Sequence, residues 1–138
     1  MKNIALVLTG LIIGIVSRFF GGFDMLLQTL VLLMIVDFIS GIVSAVVFKC
    51  SDKTDSGRLS SLSGFQGIIK KGCCLMLIVV AVHLDALLGT NSLTRDAVII
   101  AFCLNELISI LENMGRMGIK MPAPLTNALE MLSAKKNA

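Results

Sequence analysis

The stretch Met25–Phe48, MLLQTLVLLMIVDFISGIVSAVVF, decides the fold of this 138-residue chain. Nearly all of it is Leu, Val, Ile, Met or Phe, and a helix of this length exceeds the ~30 Å hydrocarbon core of a bilayer. Asp37 lies near its middle, where a carboxylate costs ~2.5–3.5 kcal/mol on insertion. The apolar neighbours return ~0.3–0.6 kcal/mol each, so the segment is predicted to insert. Because an acid at that depth faces a partner or water, Asp37 is the first candidate functional residue.

The composition favours a single membrane domain over residues 1–138. Hydrophobic residues make up 56% of the chain and charged residues only 15%, which is too apolar for a soluble domain of this length. Four hydrophobic segments are predicted to cross the bilayer, at about 4–20, 25–48, 73–88 and 93–111. Unbroken apolar runs span lipid as helices, so the expected fold is all-α. Two short amphipathic helices are predicted on the cytoplasmic side, at 60–71 and 124–134.

The basic residues predict the orientation. With a cytoplasmic N-terminus, ten Lys and Arg residues lie inside and only Arg18 and Arg95 lie outside. We therefore expect a multi-pass protein of the bacterial cytoplasmic membrane with both termini in the cytoplasm. The net charge of +3 is interpreted as topology information and not as affinity for nucleic acid. The first segment is interpreted as a retained helix, since Ser17-Arg18-Phe19-Phe20 is a poor signal-peptide cleavage site.

Enzyme and metal chemistry find no support in the sequence. Cys50, Cys73, Cys74 and Cys103 have no CxxC or Cys/His spacing, and a reducing compartment argues against disulfides. No nucleophile–base arrangement or phosphate-binding loop is visible. We predict a protein that is not an enzyme and that uses no cofactor.

Polar and small residues share one face of the second segment. Asp37, Gly41 and Ser44 follow helical spacing, and small residues allow close approach of another helix. Two interpretations remain open: an oligomerisation seam or pore wall with one titratable group, or ordinary packing within one monomer. Gly10-x-x-x-Gly14 on the first segment is a further candidate contact between helices, although this pattern is common in apolar sequence.

The fourth segment is the most polar. Glu106, Ser109 and Asn113 share one face, and Asn105 and Glu112 lie beside them. We expect this face to lie toward the bundle interior, another subunit or water. Lys70 and Lys71 are assigned to the cytoplasmic interface. The predicted spans then hold no basic residue that neutralises Asp37 or Glu106, so both acids are expected to be protonated or to face water.

Four short motifs resemble the phage lysis and toxin-secretion holin family, of the small four-segment type. The first three are Asp37-Phe38-Ile39-Ser40-Gly41, then Gly64-Phe65-Gln66-Gly67-Ile68-Ile69-Lys70-Lys71, then Asn105-Glu106-Leu107-Ile108-Ser109-Ile110-Leu111-Glu112-Asn113. The fourth is the proline-containing tail that begins Pro122-Ala123-Pro124-Leu125. Each motif alone is weak, but their order and spacing are specific. The similarity covers about Leu30 to Leu132.

The resemblance implies a self-associating protein that acts on the lipid bilayer. Holins accumulate in the host membrane and then assemble into lesions that release an endolysin, and relatives in toxin loci are associated with toxin release. We hypothesise that Asp37 and Glu106 are hidden between subunits or neutral before triggering and line water afterwards. One alternative is a small ion or proton-coupled carrier that uses the same acids. Another is an assembly subunit whose inner loop and tail bind a soluble partner.

Overall fold

A computed structural model describes residues 2–49 and 61–136. These residues form five helices and no strand, which confirms the all-α prediction. The helices are α1 (Lys2–Phe19), α2 (Met25–Val46), α3 (Ser61–Leu88), α4 (Leu93–Arg116) and α5 (Ala123–Lys136). The first four are long and apolar enough to cross a membrane. The chain is therefore a multi-pass membrane protein.

The helix termini follow from local signals in the sequence. Gly21 and Gly22 take φ values of +71° and +108°, which only glycine adopts at low cost, and they turn the chain between α1 and α2. Asp24 caps α2 by accepting a hydrogen bond from the Leu27 backbone N–H at 3.0 Å. Pro122 precedes α5, where its missing N–H costs nothing.

Helix α3 differs from the sequence-based expectation. It runs without interruption over 28 residues, so the amphipathic segment expected at 60–71 and the span expected at 73–88 form one helix. At 1.5 Å per residue α3 is ~42 Å long, which exceeds the bilayer core. The reason is that Gly64, Gly67 and Gly72 lower helix propensity only by ~1 kcal/mol each, and none of them is followed by a breaker. Lys71 consequently lies about three turns inside a helix and not in a loop.

Helix α4 is the centre of the bundle. It packs against both α2 and α3, whereas the backbones of α2 and α3 approach each other at few points. One apolar cluster joins the three helices. Its buried members are Leu27, Leu30, Met34, Ile78, Ile99 and Cys103.

Helix α1 stands apart from this bundle. None of its residues is buried, and an added Cβ at Gly10 or Gly14 would meet nothing within 4 Å. The two glycines of the Gly10-x-x-x-Gly14 pattern therefore approach no other helix closely within the described part of this single chain. Phe20, just after α1, packs against the apolar cluster and attaches the C-terminal end of α1 to the bundle.

The two ends of the bundle differ in their connections. We name the end with the turns at 21–24 and 89–92 the short-loop end. The opposite end, where α2 finishes and α3 begins, is named the long-loop end.

Candidate functional site

Lys71 joins the two acids that the sequence analysis singled out. Its Nζ lies 2.8 Å from Asp37 Oδ2 on α2 and also binds Glu106 Oε2 on α4. The three side chains are 19%, 13% and 8% exposed, so the cluster lies largely inside the bundle. The expectation that Asp37 and Glu106 have no basic partner is wrong. It failed because the Lys70-Lys71 pair looks like the polar flank of a shorter span, while the real helix carries Lys71 inward.

Asn113 completes the cluster from the next turns of α4. Its Nδ2 donates to Asp37 Oδ1 at 3.2 Å and to Ser40 Oγ at 3.0 Å. Gly41 lies against it, since an added Cβ would stand 3.6 Å from Asn113 Nδ2. Both oxygens of Asp37 are thus hydrogen-bonded, one to α3 and one to α4. The α2 stripe, meaning the face that carries Asp37, Gly41 and Ser44, is packed inside the monomer. Packing within one monomer is one of the two interpretations that the sequence left open.

The cluster has a formal charge of −1, because one ammonium serves two carboxylates. Removing one partner of a buried ion pair costs ~3–5 kcal/mol, because the remaining charge is left without compensation. Lys71 therefore ties α3 to α2 and α4 at a point where α2 and α3 otherwise share little contact. The stability of this tie depends on how much water reaches it.

A cavity of about 210 Å³ extends from the cluster toward the long-loop end. Nine of the ten predicted site residues line it: Asp37, Gly41, Ser44, Lys70, Lys71, Asn105, Glu106, Ser109 and Asn113. Glu112 is the exception, because it is exposed and lies 3.7 Å from Arg116 on its own helix. The fold thus gathers residues from α2, α3 and α4 around one polar space. On the other side of the cluster lies the apolar group that contains Met34 and Cys103.

Ser44 is distinctive within the cavity wall. It is only 2% exposed, and its Oγ is the buried side-chain polar atom without a hydrogen-bond partner in the part of the chain described. An unmade hydrogen bond of this kind costs ~1–3 kcal/mol. The packing of α2 in this structure therefore leaves the Ser44 hydroxyl of the α2 stripe without a hydrogen bond.

A second polar network holds the short-loop end, and the sequence analysis did not predict it. Arg95 is 2% exposed, and its guanidinium donates to Phe20 O at 2.7 Å, to Gly22 O at 3.2 Å and to Asp24 Oδ2 at 2.8 Å. The hydrogen bond that Arg95 donates to the Asp24 carboxylate lowers the pKa of Asp24 below its usual value. The network fixes the α1–α2 turn to the start of α4.

Asp85 caps α4 from the last turns of α3. Its carboxylate accepts the backbone N–H of Thr94 at 2.9 Å and of Arg95 at 2.7 Å, and it also binds the Thr90 hydroxyl. These backbone groups have no partner within the helix, so an acid there satisfies them and complements the helix dipole. The sequence signal that could have predicted this cap is an acid a few residues before a short loop that contains glycine. His83 points elsewhere, stacking on Phe19 with ring centroids 6.3 Å apart.

These features define a class: a small multi-pass membrane protein with an ion-pair cluster between its helices. Comparison with known sequences makes the class specific. The chain belongs to the bacteriophage holin family, whose sequence profile matches residues 14–134. The resemblance inferred from the motifs is confirmed. This family is one of non-enzymatic membrane proteins, and the match leaves most of α1 outside it.

Individual relatives cover most of the chain. An uncharacterized protein of Listeria monocytogenes is 43% identical over 88% of this chain and 81% of its own length. An uncharacterized protein of Clostridium perfringens is 36% identical over 86% of this chain and 82% of its own. A probable holin of Bacillus phage phi105 is 29% identical over 78% of this chain and 74% of its own. No solved structure matches the chain.

Proposed function

We propose that this protein permeabilises the bacterial cytoplasmic membrane as a holin. Copies of it assemble into lesions that release an endolysin for host lysis or export a large toxin. Family membership and the probable holin of phage phi105 support the general activity. The observation that carries the mechanism is the bond from Lys71 to both Asp37 and Glu106.

The proposed resting subunit is closed by this cluster. Asp37 of α2 lies against Lys71 and Asn113, and Glu106 of α4 lies against Lys71, so a single subunit covers both acids. The ten basic residues on one side favour an orientation with the long-loop end and both termini in the cytoplasm. The cavity then opens toward the cytoplasm and ends at the cluster.

The proposed lesion forms when α3 moves away from α2. This seam is the weak one, because α4 contacts both helices while α2 and α3 share few backbone contacts. The uncovered cavity wall then carries Asp37 and Ser44 of α2 and Ser109 of α4, which suit a wall that faces water or a sister subunit. The unsatisfied Ser44 hydroxyl would find a partner there.

Water makes this opening self-reinforcing. A pair of unit charges 4 Å apart attracts by ~4 kcal/mol at an effective dielectric of 20 but by only ~1 kcal/mol in water. Once water enters between subunits, the tie through Lys71 weakens and the next subunit opens at lower cost. A long quiet period followed by sudden failure of the membrane is the expected behaviour.

The carrier alternative uses the same acids. It is less well supported, because Lys71 already occupies the two carboxylates that would carry the ion. Induced expression in a bacterium, with and without a cytoplasmic endolysin, separates the two. Abrupt clearing of the culture that requires the endolysin supports the holin. Continued growth with a shifted membrane potential supports the carrier and contradicts the holin.

A further inference from the structure

We propose that the cavity at the long-loop end binds the phosphate group of an acidic phospholipid. This inference concerns the single subunit and does not depend on lesion formation. Basic pockets between membrane helices commonly bind anionic headgroups. The present cavity has the charge, the space and the donors for such a group.

The charges of the cavity favour an anion at its mouth. Lys71 and its two acids carry a formal charge of −1 at the inner end, whereas Lys70 and Arg116 contribute two further cations to the wall. Among the described residues, Glu112 is a further acid near the mouth; it is exposed and lies 3.7 Å from the Arg116 guanidinium, so it offsets part of that charge. Three cations therefore line the cavity against two carboxylates, and both carboxylates are held by Lys71.

The cavity also has room for a headgroup. Gly64 and Gly67 of α3 line it, and an added Cβ at either position would meet nothing within 4 Å. The volume of about 210 Å³ accommodates a phosphate with part of its glycerol. Because α2 and α3 share few backbone contacts, a lipid is able to enter from the side between them.

Ser44 is an independent observation that points to a ligand. Its buried hydroxyl forms part of the wall and lacks an acceptor within the described residues. A phosphate oxygen is an acceptor of the missing kind. Together with Lys70 and Arg116, this hydroxyl gives donors from all three helices of the bundle.

Two pairs of variants test the proposal in purified full-length protein. Gly67→Leu fills the cavity, and Gly72→Leu is its control, because Gly72 is also an open glycine of α3 but does not line the cavity. Lys70→Gln removes a cation from the wall, and Lys120→Gln removes an exposed cation elsewhere. Native mass spectrometry measures retention of phosphatidylglycerol and of phosphatidylcholine, and the thermal unfolding of each variant verifies its fold.

The expected result is preferential retention of phosphatidylglycerol, because choline adds a cation that Lys70 and Arg116 repel. Lys70→Gln should weaken this retention about fivefold, and Gly67→Leu should abolish it, while both controls retain wild-type binding. Displacement of the lipid by inorganic phosphate would support recognition of the phosphate itself. Three results would overturn the proposal. The protein could retain the two lipids equally, or a control variant could lose as much phosphatidylglycerol as its matched cavity variant. The protein could also bind inorganic phosphate but not phosphatidylglycerol. Normal lysis timing together with failed lipid binding would leave the proposed function intact.

Discussion

Lys71 Nζ on α3 lies 2.8 Å from Asp37 Oδ2 on α2. Since α2 and α3 have few other backbone contacts, this single ion pair bridges the most weakly packed seam of the bundle. Glu106 on α4 shares the same ammonium, so one side chain of α3 bonds to both of the other central helices. The proposed mechanism follows from breaking this arrangement.

Replacing Lys71 should release the closed state. In Lys71→Met both carboxylates lose their counter-charge, and we expect unfolding free energy in detergent to fall by ~3–5 kcal/mol. In cells, lesions should form earlier than in the wild type. Culture density after induction with an endolysin present measures the timing. Lys120→Met is the control, because Lys120 is exposed and lies outside both the cluster and the cavity wall. Unchanged stability and timing in Lys71→Met would contradict the account.

Replacing the whole cluster should separate stability from function. The triple variant combines Asp37→Leu, Glu106→Leu and Lys71→Met, so no charge of the cluster is left unpaired. Replacing a buried ion-pair cluster with apolar residues often leaves the free energy of unfolding unchanged or raises it by ~1–4 kcal/mol. We expect a folded protein that forms lesions late or not at all, because the faces of α2 and α4 no longer suit water. Unfolding in detergent and culture density are the two measurements. Lesions at the normal time in this folded variant would show that the acids have no role in the mechanism.

Acid should weaken the network at the short-loop end. The hydrogen bond from Arg95 lowers the folded-state pKa of Asp24 below its usual 3.8. The contribution of Asp24 to the free energy of unfolding is thus fully present above pH 3.8 and is lost as the pH falls through the lower folded-state pKa. Because Asp24 is half exposed, we expect the effect to be small.

The variant Asp24→Asn should reduce stability at neutral pH and lose part of the acid-dependent decline. Unfolding measured between neutral and acid pH tests this expectation. Glu130→Gln, an exposed acid on α5, is the control and should leave the curve unchanged. A wild-type pH profile in Asp24→Asn would exclude the role of this contact.

The register of α3 against α4 makes two cysteines neighbours. Lys71 bonds to Glu106, and Ile78 and Ile99 share the apolar cluster, so the antiparallel register places Cys74 opposite Cys103. With Cys50 and Cys73 replaced by Ser, mild oxidation should form an intramolecular disulfide between the remaining two. Peptide mapping under non-reducing conditions detects it, and Cys103→Ser should abolish it. Exclusive formation of disulfides between chains would contradict this register.

Much of the fold was predictable because lipid leaves few choices for backbone hydrogen bonds. The apolar run around Asp37 and the polar face of α4 each identified a spanning helix and its candidate residues. The 3.6-residue helical period also predicted which residues share a helix face. For this reason nine of the ten predicted site residues line one cavity.

The partner of Asp37 was not predictable from the sequence in the same way. Hydropathy marked Lys71 as the edge of a span, and only tertiary packing shows that the helix continues to Ser61 and turns Lys71 inward. The cap of α4 by Asp85 was missed for a similar reason. It depends on how two helices meet across a short loop, and the sequence analysis used Arg95 only as one of the two basic residues outside the membrane.

The most direct measurement is the accessibility of residue 44 before and after triggering. In a cysteine-free Ser44→Cys variant, a membrane-permeant thiol reagent that reaches both faces of the membrane should fail to label position 44 in resting membranes, because Ser44 is 2% exposed. The position should become labelled when the culture clears, while Ile119→Cys, outside the spans, is labelled throughout. Persistent protection of position 44 during lysis, or equal labelling in the resting membrane, would contradict the opening of the α2 face.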